Sequence, residues 1–160
     1  KQVSYRGGLV TFRIPRHWVE EYEEGGGATF YEDRPDSGTL RLNVLTFSST
    51  TEQPAPTPMA VLQRLSGEGR EYVQALPDGG ALLHGVKVGA EEGRTLHTHY
   101  WHIAQCVPPH DCRLAIFTYT VDADAEGEPL IRHELQLLHD ELPQAVVSSV
   151  GAIADAMATQ

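Results

Sequence analysis

Alternation of apolar and polar residues is the dominant pattern along this chain, and it predicts β-strands. The first clear run, Val10 to Ile14, ends at Pro15, because proline cannot donate to a β-ladder. Longer runs over 39–48, 94–107 and 111–122 predict three long strands. Shorter strands are predicted at 19–24, 28–32 and 81–90. The pattern indicates a mainly antiparallel sheet joined by short loops.

The run 39–48 has apolar residues on both of its faces. Leu40, Leu42 and Val44 fall on one face, whereas Leu45 and Phe47 fall on the other. Because a strand buried on both sides is apolar on both sides, we expect the long strands to lie centrally, with a covering layer on each face of the sheet.

Helical spacing appears in three places. Thr57-Pro58 matches an N-cap followed by proline at the first helical position, which predicts a helix ending near Gly67. A second helix is predicted from Pro129 to His139, and a third from about Glu141 to Met157. The inward residues of the last two are expected to be Ile131, Leu135, Leu138, Val146, Val150, Ile153 and Met157. Without a repeat or a linker, residues 1–160 are predicted to form one α+β domain.

A short motif near the start carries a family resemblance. The phrase Phe-Arg-Ile-Pro-Arg-His-Trp at 12–18, with a strand-then-helix ending of the Val147-Ser-Ser-Val150 type, resembles the PsbP-like superfamily. The resemblance implies an α/β/α sandwich around a mainly antiparallel sheet, spanning nearly the whole chain. Characterised members are mostly adaptors, assembly factors or chaperone-like partners of other proteins. It therefore implies protein binding and supplies no catalytic residues.

The charge of the chain restricts its partners. The formal net charge is −10, and the 12 lysines and arginines are scattered singly. Phosphate backbones are bound by clustered basic residues, so nucleic acid is not an expected partner. No apolar run reaches the ~18 residues that a membrane-spanning helix needs. We expect a soluble protein whose partner is another protein; the residues leave a cytoplasmic and an exported location equally open.

Histidines cluster in the run His97-Thr-His99-Tyr-Trp101-His102. On a strand, His97, His99 and Trp101 share one face, and His102 lies on the other. Two histidines at this spacing can reach one metal ion, but a zinc site would need at least one further ligand. One alternative is an aromatic-rich sheet face whose imidazoles bond neighbouring side chains or water. The other is a pH-responsive or partner-binding face, for which the predicted partner-binding residues are His99, Trp101 and Tyr119. We predict no cofactor and no metal.

Cys106 and Cys112 flank a five-residue loop between two long strands. Directly opposed residues in such a hairpin lie close enough for a disulfide, although reduced thiols and part of a zinc site are the other possibilities. If these cysteines are opposed, the register also pairs Trp101 with Phe117, His99 with Tyr119, and Ile103 with Ala115.

Three functions follow from these observations. The leading hypothesis is a non-catalytic protein-binding, adaptor or chaperone-like domain. The second is a metal-dependent enzyme that uses His97 and His99. The third is a small-molecule or lipid carrier, which would require a cavity between the sheet and the helices.

Overall fold

The computed structural model describes residues 1–48, 57–66 and 72–150. In these ranges the strands are β1 (Gln2–Tyr5), β2 (Val10–Arg13), β3 (Val19–Tyr22), β4 (Ala28–Tyr31), β5 (Thr39–Ser48), β6 (Tyr72–Ala75), β7 (Ala81–Glu91), β8 (Arg94–Val107), β9 (Asp111–Asp122) and β10 (Val146–Val147). The helices in the same ranges are α1 (Pro58–Leu65) and α2 (Pro129–Glu141), and a 3-10 turn spans Leu142–Gln144. The α+β class predicted from the sequence is confirmed.

The main sheet is antiparallel, and its strand order within the described residues is β3-β4-β5-β9-β8-β7-β6. Strands β5, β8 and β9 match the predicted bounds and lie in the middle of the main sheet. The central position of these strands is therefore confirmed. Each of these three strands buries a row of its side chains.

The predicted register of the β8–β9 hairpin is also confirmed. Cys106 pairs with Cys112, and the pairing continues through the three expected partners, including His99 opposite Tyr119. Because a slip of one residue would turn every side chain to the other face, this register places His99 and Tyr119 side by side.

A second, small antiparallel sheet has the order β1-β2-β10 within the described residues. It packs Val10 and Phe12 into the same core cluster as Trp18. The helix predicted over Glu141 to Met157 is wrong for its described part. Residues 142–144 form the 3-10 turn, and Val147 then pairs with Val10; positions 151–157 lie outside the described residues.

The two helices in the described ranges pack against the main sheet through different rows of strand residues. Val61 and Leu62 of α1 join a cluster with Tyr100 and Ala104. Thr57 caps this helix as predicted, since its hydroxyl accepts a hydrogen bond from the Ala60 amide at 3.1 Å. In α2, the buried apolar residues are Ile131, Leu135 and Leu138, which share a cluster with Trp101, Ile103 and Phe117.

Strand β5 is not buried on both faces along its whole length. Leu40 and Leu42 are fully buried, whereas Leu45 is 48% exposed and Phe47 is 38% exposed. The prediction that a second layer covers these two side chains is therefore wrong.

Neither α1 nor α2 is long and apolar enough to cross a membrane, and this holds for every helix in the described ranges.

Candidate functional site

A cluster of imidazole rings surrounds Trp101 where α2 meets the sheet. We call His84, His97, His99, His139 and Trp101 the imidazole cluster. Strand β8 supplies His97, His99 and Trp101 from alternate positions, and the β7–β8 register places His84 opposite Trp101. His139 is contributed by the last turn of α2.

Four rings of this cluster, those of His84, His99, His139 and Trp101, pack against one another. His84 stacks on Trp101 with ring centroids 5.1 Å apart, and His139 meets His84 edge-on at 4.8 Å. His139 also approaches Trp101 at 5.4 Å and His99 at 6.2 Å. One helical residue therefore touches three rings that belong to two different strands.

Burial favours the neutral form of His84 and of His139. It lowers the pKa of His84, although the His84 Nδ1–H group donates to the Tyr100 carbonyl oxygen at 3.0 Å, which acts in the opposite direction. Burial is also the main cause of the lowered pKa of His139, and the neighbouring His84 and His99 lower it further. A proton on either ring would place a charge between α2 and the sheet.

Glu126 joins the cluster from the turn between β9 and α2. Its carboxylate accepts a hydrogen bond from His99 Nε2 at 2.6 Å, and its other oxygen contacts His97 Nδ1. The turn is fixed to the sheet, because the Ala123 amide donates to the Thr95 carbonyl oxygen at 2.9 Å.

The electrostatics of Glu126 favour its ionised form. Burial acts to raise the pKa of this carboxyl, but the hydrogen bonds from His97 and His99 outweigh it, so the pKa is lowered. His99 itself is only 7% exposed. Among the described residues, none provides a partner for its second ring nitrogen, Nδ1.

Glu126 places a carboxylate, a possible third ligand, beside the two histidines considered for zinc. Nevertheless, no group of three or more histidine, cysteine or acidic residues in the described ranges is placed to hold a metal ion. The structure shows a carboxylate hydrogen-bonded to two imidazoles at this position. A metal-dependent activity at His97 and His99 stays a prediction, which elemental analysis of the purified protein would test.

A second polar group lies deeper under α2. The Tyr119 hydroxyl donates to Glu134 Oε2 at 2.5 Å, and Arg34 Nη2 donates to Glu134 Oε1 at 3.2 Å. Arg34 Nε also donates to Glu32 at 2.6 Å. We call Arg34, Tyr119 and Glu134 the buried carboxylate network.

Burial decides the protonation behaviour of this network. Glu134 is 5% exposed, and its burial raises the carboxyl pKa despite the opposing hydrogen bond from Tyr119 and the Arg34 charge. The pKa of the fully buried Tyr119 is raised as well, first by burial and then by Glu134. Gly38 makes room for the tyrosine ring, since a Cβ atom there would lie 2.0 Å from Tyr119 Cζ.

The residues predicted to bind a partner lie in the core of the structure. His99 is 7% exposed, Trp101 is 1% exposed and Tyr119 is fully buried. The structure brings them together on one sheet face, beneath α2. Their role in partner binding stays a prediction that would require α2 to move.

Cys106 and Cys112 are directly opposed, as expected, and the structure carries both as thiols. Burial raises the pKa of the Cys112 thiol to about 11, and the nearby Cys106 adds to this shift. A thiol with such a pKa is a poor nucleophile near neutral pH. The disulfide stays a prediction.

Four residues at these sites were not predicted from the sequence: Glu126, Glu134, His84 and His139. Glu134 has a detectable signal, because it follows Ile131 by three residues and so interrupts the apolar stripe of α2. His139 has a similar signal, four residues after Leu135. Glu126 has none, since it stands in a turn rich in acidic residues.

Open depressions lie beside α2 and beside β5. A groove of about 520 Å³ runs along α2, lined by Glu126, Arg132 and His139. A notch of about 820 Å³ lies beside the second half of β5, lined by Arg6, the glycines at 25–27 and Asp111. Both are open to solvent, and the carrier hypothesis stays a prediction.

Comparison with known proteins finds a likeness of fold. No protein-family model matches the chain, and a search of curated proteins finds no significant match. A crystal structure of a protein from Bacteroides thetaiotaomicron VPI-5482 matches with a TM-score of 0.57 and 17% sequence identity. The match covers 77% of this chain and 42% of that protein, so this chain corresponds to less than half of its length. The chain is thus an α+β protein with an antiparallel sheet, similar in fold to this bacterial structure.

Proposed function

We propose that this chain is a non-catalytic protein-binding domain of the adaptor or chaperone-like kind, and that the outer end of its β7–β8 hairpin contacts the partner. The observation that carries this proposal is a pair of exposed valines on one face of β7. Val86 is 47% exposed and Val88 is 70% exposed.

The exposure begins abruptly along β7. Its first residues, Ala81 to Leu83, are buried, whereas every position from Val86 to Glu91 is exposed. The register places Val86 opposite His99 and Val88 opposite His97. The two valines therefore continue the sheet face of the imidazole cluster beyond the edge of α2.

An apolar surface of this kind suits a protein partner. When a partner removes exposed β-branched side chains from water, the free energy of binding becomes more favourable by roughly 25 cal/mol for each Å² of apolar area buried. Polar groups at the rim then contribute specificity. His97, which is partly exposed and lies opposite Val88, and Glu126, which contacts His97, fit this arrangement.

The resemblance to the PsbP-like superfamily supports the same function. It also implies an α/β/α sandwich, and the packing of the two described helices supports that arrangement. Tyr100 contacts the α1 cluster while its neighbour Trp101 contacts the α2 cluster. Because successive strand residues point to opposite faces, the two helices are inferred to cover opposite sides of the sheet.

The proposal is tested with the double variant Val86→Ser and Val88→Ser. Affinity capture from an extract of the source cells is compared, by quantitative mass spectrometry, for the wild type, the double variant and a control, Val146→Ser. Val146 is 56% exposed on the small sheet and thus matches the exposure of the tested valines.

We expect a protein enriched by the wild type and by the control to lose at least tenfold in recovery with the double variant. The melting temperatures of the three proteins should agree within a few degrees. The proposal is wrong if every enriched protein is recovered equally by the double variant, or if none is enriched.

A further inference from the structure

We propose that His84 and His139 form an acid-operated latch: on acidification they release the C-terminal half of α2 from the sheet, while Glu126 keeps the N-terminal end attached. This inference goes beyond the proposed function, because it concerns a movement of the chain itself and does not require a partner.

The contact between the two rings is the centre of the latch. Their centroids lie 4.8 Å apart, with His84 on strand β7 and His139 on the last turn of α2. Both side chains are only partly exposed. Two imidazolium ions at this distance repel one another, and partial burial weakens the screening by water. Protonation therefore opposes the closed arrangement and favours separation of the helix end from the sheet.

The other charged groups around the pair do not cancel this repulsion. Strand β6 contributes Tyr72, which pairs with His84, β8 contributes His97 and His99, and β9 contributes Tyr119. The turn before α2 contributes Glu126, and α2 itself contributes Arg132, Glu134 and Asp140. Glu126 is already bonded to His97 and His99, and Glu134 to Arg34 and Tyr119. Asp140, next to His139, favours its protonated form, but His84 and His99 act in the opposite direction.

The other end of the helix is held by contacts that do not involve the latch histidines. In the turn before α2, the Glu126 carboxylate accepts a hydrogen bond from His99 Nε2 and contacts His97 Nδ1, and the Ala123 amide donates to the Thr95 carbonyl oxygen. Repulsion between His84 and His139 therefore acts on the C-terminal end of α2. The expected movement is local, with the turn at residues 122–128 as its pivot.

The lowered pKa of both latch histidines supports this direction. A ring that is neutral in the closed state and takes up a proton in the open state makes opening more favourable as the pH falls. The contribution to closure is present above the ordinary histidine pKa of 6.5 and is lost as the pH falls toward the lowered value. For each imidazole that takes up a proton, the opening equilibrium rises by about tenfold per pH unit in that window.

The test is amide hydrogen exchange of the full chain at pH 7.5 and at pH 5.0, corrected for intrinsic exchange rates. We expect the amides of Leu135 to Glu141 to exchange at least tenfold faster at pH 5.0, whereas the Arg132 amide, bonded to the Glu128 carbonyl oxygen, changes little. The double variant His84→Gln and His139→Gln should lose this dependence on pH. His133→Gln is the matched control, because His133 is an exposed histidine on the same helix.

Equal exchange at the two pH values, or an equal pH dependence in the double variant and the wild type, would overturn the latch. So would acceleration of similar size in α2 and β9, since that indicates global unfolding. If the double variant does not fold, each single variant should show about half of the wild-type dependence on a logarithmic scale. Partner capture at pH 7.5 is independent of this measurement.

Discussion

Glu126 and Glu134 both connect α2 to the sheet, yet their surroundings shift their pKa values in opposite directions. Glu126 lies at the rim, with 24% of its side chain exposed, and two imidazoles hold its carboxylate. Glu134 lies under the helix, with 6% of its side chain exposed, and receives hydrogen bonds from a phenol and a guanidinium. At the rim, burial raises the pKa of Glu126 but the two histidines together outweigh it, whereas in the core burial outweighs the partners of Glu134.

The comparison shows that the partners of a carboxylate do not by themselves determine its behaviour. Arg34 carries a full positive charge, whereas His97 and His99 are charged only when protonated, and still the pKa of Glu134 is the one that is raised. Removal from water is the larger effect at the buried position. The buried carboxylate network therefore serves as a structural element beneath α2.

The largest expected effect is that of Glu134→Ala. It leaves the Tyr119 hydroxyl and one end of Arg34 without their acceptor beneath α2, which should lower the free energy of unfolding by about 2–3 kcal/mol. Urea denaturation at pH 7 measures the loss. Glu128→Ala is the control, because the Glu128 side chain is exposed and makes no capping hydrogen bond. Equal stabilities of the two variants would contradict the structural role of Glu134.

A smaller effect is expected for Glu126→Gln. The amide keeps the size of the side chain but not its charge, and one of its two terminal atoms is no longer an acceptor. We expect a loss of about 1 kcal/mol in the free energy of unfolding, since the site is partly open to solvent. A loss of stability equal to that of Glu134→Ala would contradict the expectation that the buried carboxylate stabilises the fold more than the rim carboxylate does.

The smallest effect is the pH dependence of each carboxylate, and the two should differ in sign. The lowered pKa of Glu126 means that its contribution to stability is present above the ordinary value of 4.5 and is lost as the pH falls below it. The raised pKa of Glu134 means that the pH-dependent part of its contribution, added to that of its hydrogen bonds with Tyr119 and Arg34, is complete below 4.5 and is lost as the pH rises through the folded-state value. Unfolding measured from pH 3 to pH 7 for the wild type and each Gln variant separates them. For each variant, the difference from the wild type in the free energy of unfolding is plotted against pH. Slopes of the same sign for the two variants would contradict this assignment.

Much of the main sheet was predictable from local pattern. The bounds of β5, β8 and β9 agree with the apolar alternation, and the opposed pair Cys106 and Cys112 led to the correct register of the hairpin. The same alternation, with a period of two residues, also predicts which side chains share a face of each strand. These features are local, because a short loop leaves the two strands of a hairpin few alternative pairings.

The end of the chain shows where local pattern is insufficient. Val146 and Val150 fit the inward face of a helix, but in the structure Val147 pairs with Val10 of β2. Val10 and Val147 are fully or nearly fully buried, at 0% and 3% exposed. Pairing with a distant strand therefore buries a valine that was expected to be buried in a helix. The local spacing of apolar residues does not reveal a partner more than 100 residues away.

The sequence alone thus determined the α+β class, the central strands and the sheet face that carries His97, His99 and Trp101. Only the tertiary structure decided what covers that face. The β9–α2 turn brings Glu126 to the two histidines, and α2 brings Glu134 to Tyr119 and Arg34. The period of a strand specifies which side chains share a face, whereas the contacts of those side chains depend on how a later helix packs across several strands. That packing sets burial, and burial sets the charge states on which the site depends.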